Sequence, residues 1–375
     1  MRQPISIFLI AAAAFAAPLG AAETERCKVR VGAPVAAGTA LVPFAAFDHS
    51  SFDSLLRQYV DCDGLVSYGA WKKNCGARAQ LEAYLQSFAA LDVADAKSDS
   101  NARLATYVNA YNALVIHGIL REYPTVSIQA HNRERAPYRI FDDLELCVGG
   151  THQSLNALEH EIIRPFGDPR IHFALVCAAR GCPKLRNEAY APERFDCQVD
   201  DNGRDFFAEH SRWHVIRGTR IARVSPILQW FDEDFGTTDA EVLARIMPYL
   251  PEGDRNWLER HPRAKLTYLG YNWALNDKHP PPFQRAAALP YTLYSRIEPG
   301  VRPVTSLVRV GSGEKSASGS SPAPAAETPA QPPVQPPPNG EEPPPPKVIK
   351  PDERKKAEEK KPPEEARAPL NYYRS

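Results

Sequence analysis

Cysteine at 177, arginine at 180 and a second cysteine at 182 fall within one segment, Ile171-His-Phe-Ala-Leu-Val-Cys177-Ala-Ala-Arg180-Gly-Cys182-Pro183. A thiol is nucleophilic once it is partly thiolate, which a neighbouring cation or the amides of a turn favour, and it needs a base within hydrogen-bond reach. Arg180, Arg186 and the turn amides supply the first requirement. Glu159-His160, on the element just before this segment, supplies the second. His172 is five residues from Cys177, roughly 16 Å at strand rise and on the opposite parity, which ranks it behind His160 as a base. Asn109 and Asn112 are three apart on an apolar helix and share a face. They could orient an imidazole or donate to an oxyanion, or they could bond loop carbonyls.

Bland readings stand beside these. A buried cysteine is a common core residue, and an imidazole at a joint between elements can be held there by structure alone. Glu188 and Arg186 can pair simply to hold the loop after Pro183. Four residues separate Cys177 from Cys182, so a structural or regulatory disulfide is open although the spacing is not that of a thioredoxin-like motif. His172, Cys177 and Cys182 offer soft ligands without a familiar zinc spacing. His210 and His214 lack a glutamate directly after the first histidine, so a metalloprotease motif is weak. No metal and no cofactor is expected.

The elements that position these groups follow from pattern. Asp168-Pro169 marks a turn, and residues 171 to 177 read as a buried strand that Cys177 closes. Phe52, Leu55, Leu56 and Tyr59 predict a short amphipathic helix, and Leu81, Tyr84, Leu85, Phe88 and Leu91 a second. Residues 101 to 121 carry the strongest helical period, stopped at Tyr123-Pro124. Ser154 can cap a further helix with Leu155, Leu158, Ile162 and Ile163 facing inward. Strands are also expected at 213 to 217 with 220 to 224, and at 265 to 271. The fold class is α+β or α/β, a mainly helical single domain around a small sheet over residues 45 to 310.

Both ends differ from this domain. Arg2, the apolar run Ile5 to Ala17 and the small residues before Glu23 read as a secretory signal over residues 1 to 22. The run is too short for a comfortable membrane span, and no other segment approaches the roughly 20 apolar residues needed. A periplasmic or secreted protein is expected, in a compartment that permits disulfides. Seven cysteines cannot all pair within one chain. Residues 311 to 375 hold Pro336 to Pro338, Pro343 to Pro346 and a balanced set of acidic and basic side chains, with too few apolar groups for a core, so a disordered tail is expected. It could act as a spacer, or end in an aromatic contact for an envelope partner through Tyr372 and Tyr373. Lys plus Arg and Asp plus Glu are both 45, which gives no field to draw nucleic acid.

Four blocks carry a resemblance. Val108-Asn109-Ala-Tyr-Asn112-Ala-Leu-Val-Ile-His117, Ser154-Leu-Asn-Ala-Leu-Glu159-His160-Glu-Ile-Ile-Arg164-Pro165, Asp168 to Pro183, and Leu185-Arg186-Asn-Glu188-Ala-Tyr190 resemble, in content and order, the domain of unknown function 547 family. Weaker echoes at Gly64 to Tyr68 and Tyr271 to Asn276 extend the likeness over about residues 52 to 277. Ala179 and Gly181 depart from a serine-richer version of the cysteine block. The resemblance implies a family and no activity.

The residues therefore support an exported protein with a thiol-centred pocket. The expected chemistry is that of a cysteine hydrolase or acyl transferase, with Cys177 as nucleophile, His160 as base, and Glu159, Asn112 and Arg180 in support. The alternatives are a noncatalytic envelope domain that binds a peptide or glycan, and a thiol-redox or metal site. The partner is a small molecule, peptide or glycan, and not nucleic acid.

Overall fold

The computed structural model describes residues 27–95, 97–132 and 138–280. The expected signal segment and the Pro-rich tail lie outside them. Within them the chain is mainly helical, with two small three-stranded sheets. Among the described residues no helix is long and apolar enough to cross a membrane.

Helix α1 spans Ser50–Tyr59, α2 Tyr68–Lys73, α3 Cys75–Ser87 and α4 Ser100–Glu122. Asp99 caps α4 by accepting from the Ala102 amide, and the helix is buried on nearly every side. That burial explains why its polar Asn109 and Asn112 must find partners inside the protein. Gly118 lets α4 press close, because a Cβ there would meet Ile140 Cδ1 at 2.6 Å.

In the first sheet, β1 (Val29–Val31) pairs parallel with β2 (Leu144–Val148), which pairs antiparallel with β3 (Thr151–Ser154). Gly149 and Gly150, with φ of 54° and 85°, turn the hairpin where two left-handed residues are needed. Strand β1 precedes residue 45, so the first sheet draws on chain before the expected start of the domain. The second sheet orders β4 (Trp213–Ile216), β5 (Ile221–Val224) and β6 (Lys265–Tyr268), with β4 and β5 antiparallel and β5 and β6 parallel. These match the strands expected at 213 to 224, and the last stops three residues short of the expected 271.

The expected strand at 171 to 177 does not form. Pro169–Phe173 is a 3-10 turn, started by Asp168, whose side chain accepts from the Arg170 amide, and by Pro169 near its first position. The following extended stretch has side chains where a strand has a ladder. Asn112 Nδ2 donates to the Ala174 carbonyl at 3.0 Å and its Oδ1 accepts from the Val176 amide at 3.0 Å. Asn202 Nδ2 donates to the Phe173 carbonyl at 2.9 Å. With its backbone satisfied this way, the segment needs no sheet.

Two hydrophobic clusters share the interior. One surrounds α4; the other gathers Phe173, Phe206, Trp213, Phe235 and Trp257 beneath the second sheet. Tyr271 packs against both, and the cysteine segment lies beside it.

Candidate functional site

Cys177 and Cys182 are paired as a disulfide, with Cα atoms 6.4 Å apart. The backbone turns back between them through Ala178, a non-glycine residue at φ 59°. Such a left-handed residue is uncommon and persists where its surroundings hold it. They do so here: Asn276 N donates to the Ala178 carbonyl, Arg180 N to the Ala274 carbonyl and Gly181 N to the Asn272 carbonyl, all between 2.8 and 2.9 Å. The segment 272–276 is itself anchored to the chain before α2, through Val66 N to the Asn276 carbonyl at 2.9 Å and Tyr68 Oη to Asn276 Oδ1 at 2.9 Å. The two weak sequence echoes thus meet, and together they clamp the cysteine turn.

The two sulfurs have different surroundings. Cys182 Sγ accepts from the Cys177 amide at 3.1 Å and from the Tyr271 hydroxyl at 3.0 Å. Cys177 Sγ lies 3.5 Å from that hydroxyl. Cys177 is 8% exposed and Cys182 2%. Burial pushes the Tyr271 phenol well above its ordinary value, with Arg212 opposing and Glu159 adding to the rise, so it stays a proton donor.

Both sulfurs line a cavity of about 30 Å³ walled by aromatic rings, including Tyr111, Trp230, Tyr271 and Trp273. Its ionisable walls besides the cysteines and tyrosines are Glu159 and His172. Glu159, buried, accepts from the Tyr111 hydroxyl at 2.9 Å. Ser154 caps its element as expected, but after Leu155–Ala157 the turn widens to a π-helix over Leu158–Ile163 and buries Glu159 with Leu158 and Ile163. Single π turns often occur at functional sites.

The histidine on the cavity wall is His172 and not His160. The 16 Å spacing argument assumed a strand, and the 3-10 turn removes it. His172 Nε2 pairs with Asp234 Oδ2 at 2.7 Å, and the ring stacks on Phe231 with centroids 3.9 Å apart. Asp234 also accepts from Arg164 Nε at 2.7 Å, while Arg164 Nη1 contacts His160 Nδ1 at 3.1 Å. His160 therefore reaches the site through Arg164, Asp234 and His172. Burial alone would raise the Asp234 carboxyl, but the hydrogen bonds and charges of His172 and Arg164 outweigh it and hold the group at about 2.

The remaining expected residues have structural partners. Arg180 is exposed at its surface end, and its guanidinium donates to the Asp277 carbonyl at 2.8 Å. Asn112 spends both ends of its amide on the cysteine segment, and Asn109 likewise brackets Tyr190, at 2.8 and 2.9 Å. Arg186 and Glu188 pair, as a loop brace should. His210 and His214 stack with centroids 4.3 Å apart, His214 on β4 and not on a helix. Among the described residues no group of three or more His, Cys, Asp or Glu is placed to hold a metal ion. The missed residues are Tyr271, Asp234 and Trp230. Their sequence signals, an aromatic in a weak echo and an Asp-Glu-Asp run after Trp230-Phe231, lie 40 or more residues from the cysteines.

Residues 96–207 match the family described as "Protein of unknown function, DUF547", so the chain carries a DUF547 domain. All four sequence blocks fall inside the match. The clamp of Tyr271 to Asn276, the carboxylate of Asp234 and the Gly64 to Tyr68 segment fall outside it. Comparison with curated proteins and with solved structures yields no match.

Proposed function

We propose that this chain is an exported thiol-dependent enzyme that works by thiol–disulfide exchange at Cys177–Cys182. The observation that carries the reading is the pair of donors on Cys182 Sγ, the Cys177 amide and the Tyr271 hydroxyl. Hydrogen bonds to an anion are the strong ones, so this sulfur is the better thiolate and the better leaving group. A partner thiolate attacks the more accessible Cys177 Sγ and forms a mixed disulfide. The Cys177–Cys182 bond breaks, and its electron pair leaves on Cys182. A second thiol of the partner, deprotonated, displaces Cys177. The partner departs as a disulfide, and the protein is left with two thiols. Run backwards, the same steps oxidise a dithiol.

A second reading has its own support. Reduced, Cys177 would be a free thiol on a cavity that His172 also lines, with Asp234 held to the imidazole, which brings to one cavity the groups that a cysteine nucleophile for acyl transfer uses. It keeps the expected chemistry and changes the base from His160 to His172.

Titration of the pair against dithiothreitol, with mass spectrometry of the alkylated products, tests the first reading. Reversible opening of Cys177–Cys182 at the potential of a catalytic disulfide supports it. A pair that stays closed while the fold is intact sinks it. Reduced protein that is acylated at Cys177 by an activated ester, and loses this with His172→Ala, would favour the second. Export rests on the amino-terminal sequence. Mass spectrometry of the mature chain should find residues 1 to 22 removed.

A further inference from the structure

We infer that the thiol partner of this site is a cysteine in a polypeptide with apolar or aromatic neighbours, and not a small anionic thiol. The inference rests on the exchange reading and names its substrate class.

Two observations carry it. The first is the wall. Tyr271, whose hydroxyl touches both sulfurs, lies against Trp230 and Trp273 with ring centroids 4.8 and 4.5 Å away, and the two indoles stack on each other at 5.7 Å and 20°. All three residues are half-buried, so each keeps part of its surface open, and all three line the cavity with the sulfurs. The cavity, about 30 Å³, has room for little more than the sulfur and methylene of an incoming cysteine. Whatever flanks that cysteine must rest on the rings around it, where apolar and aromatic side chains gain and hydrated charges lose.

The second observation is charge. The cavity is lined by the Glu159 carboxyl and by His172, which is bound to Asp234, and among the described residues no lysine or arginine lines it. Of the cations around it, Arg164 is paired with Asp234 and Glu233 and Lys184 with Asp205, while Arg180 donates to the Asp277 carbonyl and Arg212 to the Arg180 carbonyl. A thiol carrying its own carboxylates, such as glutathione, meets no lysine or arginine among the described walls to pair with them. A cysteine within a chain brings neutral backbone and neighbours that can be apolar.

The experiment is stopped-flow opening of the oxidised full-length chain. The probes are dithiothreitol, glutathione and two soluble peptides, one with its cysteine between phenylalanine and leucine, the other between aspartate and glutamate. At equal thiolate concentration the apolar peptide is expected to react about tenfold faster than the acidic peptide and than glutathione. Divided by each variant's own dithiothreitol rate, the preference should collapse in Trp273→Ala and Trp230→Ala and largely survive in Trp273→Phe, which keeps an aromatic face. Equal rates for the acidic peptide or glutathione would overturn the inference, as would a preference untouched by both alanine variants. If dithiothreitol itself fails to open the pair, the exchange reading falls and takes this inference with it. Opening by dithiothreitol without any peptide preference removes the inference alone.

Discussion

The Tyr271 hydroxyl donates to Cys182 Sγ at 3.0 Å and sits 3.5 Å from Cys177 Sγ, so a residue 89 positions beyond Cys182 places a hydrogen-bond donor on one sulfur of the pair. Burial pushes the phenol upward, which keeps it protonated and a donor around neutral pH.

Removing that donor gives the first prediction. In reduced Tyr271→Phe, the Cys182 thiolate loses one of its two hydrogen bonds, each worth about 1.5–3 kcal/mol to a charged group. The pH profile of its alkylation should then move to higher pH. The check is the iodoacetamide rate against pH, with the site of alkylation read by mass spectrometry. An unshifted profile would show that the contact is packing only.

Asp234 gives a pH dependence. Its folded value is depressed to about 2 from an ordinary 3.8, so its contribution is fully present above about pH 4 and is lost as pH falls toward 2. The shift corresponds to about 2 kcal/mol. Asp234→Asn should be less stable at pH 7 by that order and should lack the corresponding step in acid unfolding. Urea midpoints measured from pH 7 down to pH 2 would show it.

Asn112 was a candidate for orienting an imidazole or donating to an oxyanion, and its amide instead braces the cysteine segment from both ends. Asn112→Ala leaves the Ala174 carbonyl and the Val176 amide buried without it, at about 1–3 kcal/mol each. A loss of about 2–4 kcal/mol in denaturant titration is expected. A change below about 0.5 kcal/mol would contradict the bracing role.

Gly181 tests the clamp. A Cβ there would lie 2.9 Å from Tyr271 Cε2 and 3.0 Å from the Asn272 amide. Gly181→Ala should push the segment 271–272 away, cost about 1–3 kcal/mol, and weaken the Tyr271 contact with the sulfurs. Thermal melts report the first effect, and the alkylation profile of the reduced protein reports the second.

What the sequence determined by itself is local. The α4 period, the Ser154 cap and the two strands at 213 to 224 follow from side-chain spacing and turn residues, which act over a few positions. Tertiary structure decided three things that spacing cannot carry. Whether residues 171 to 177 formed a strand depended on backbone partners, and Asn112 and Asn202 supplied them from other helices. Which histidine reached the cavity depended on that same segment, since a 3-10 turn brings His172 to a wall that a strand would have kept from it. Tyr271, Trp230 and Asp234 entered the site only because the chain's later half folds back across the cysteine turn, bringing together groups whose distance along the sequence gives no sign of their distance in space.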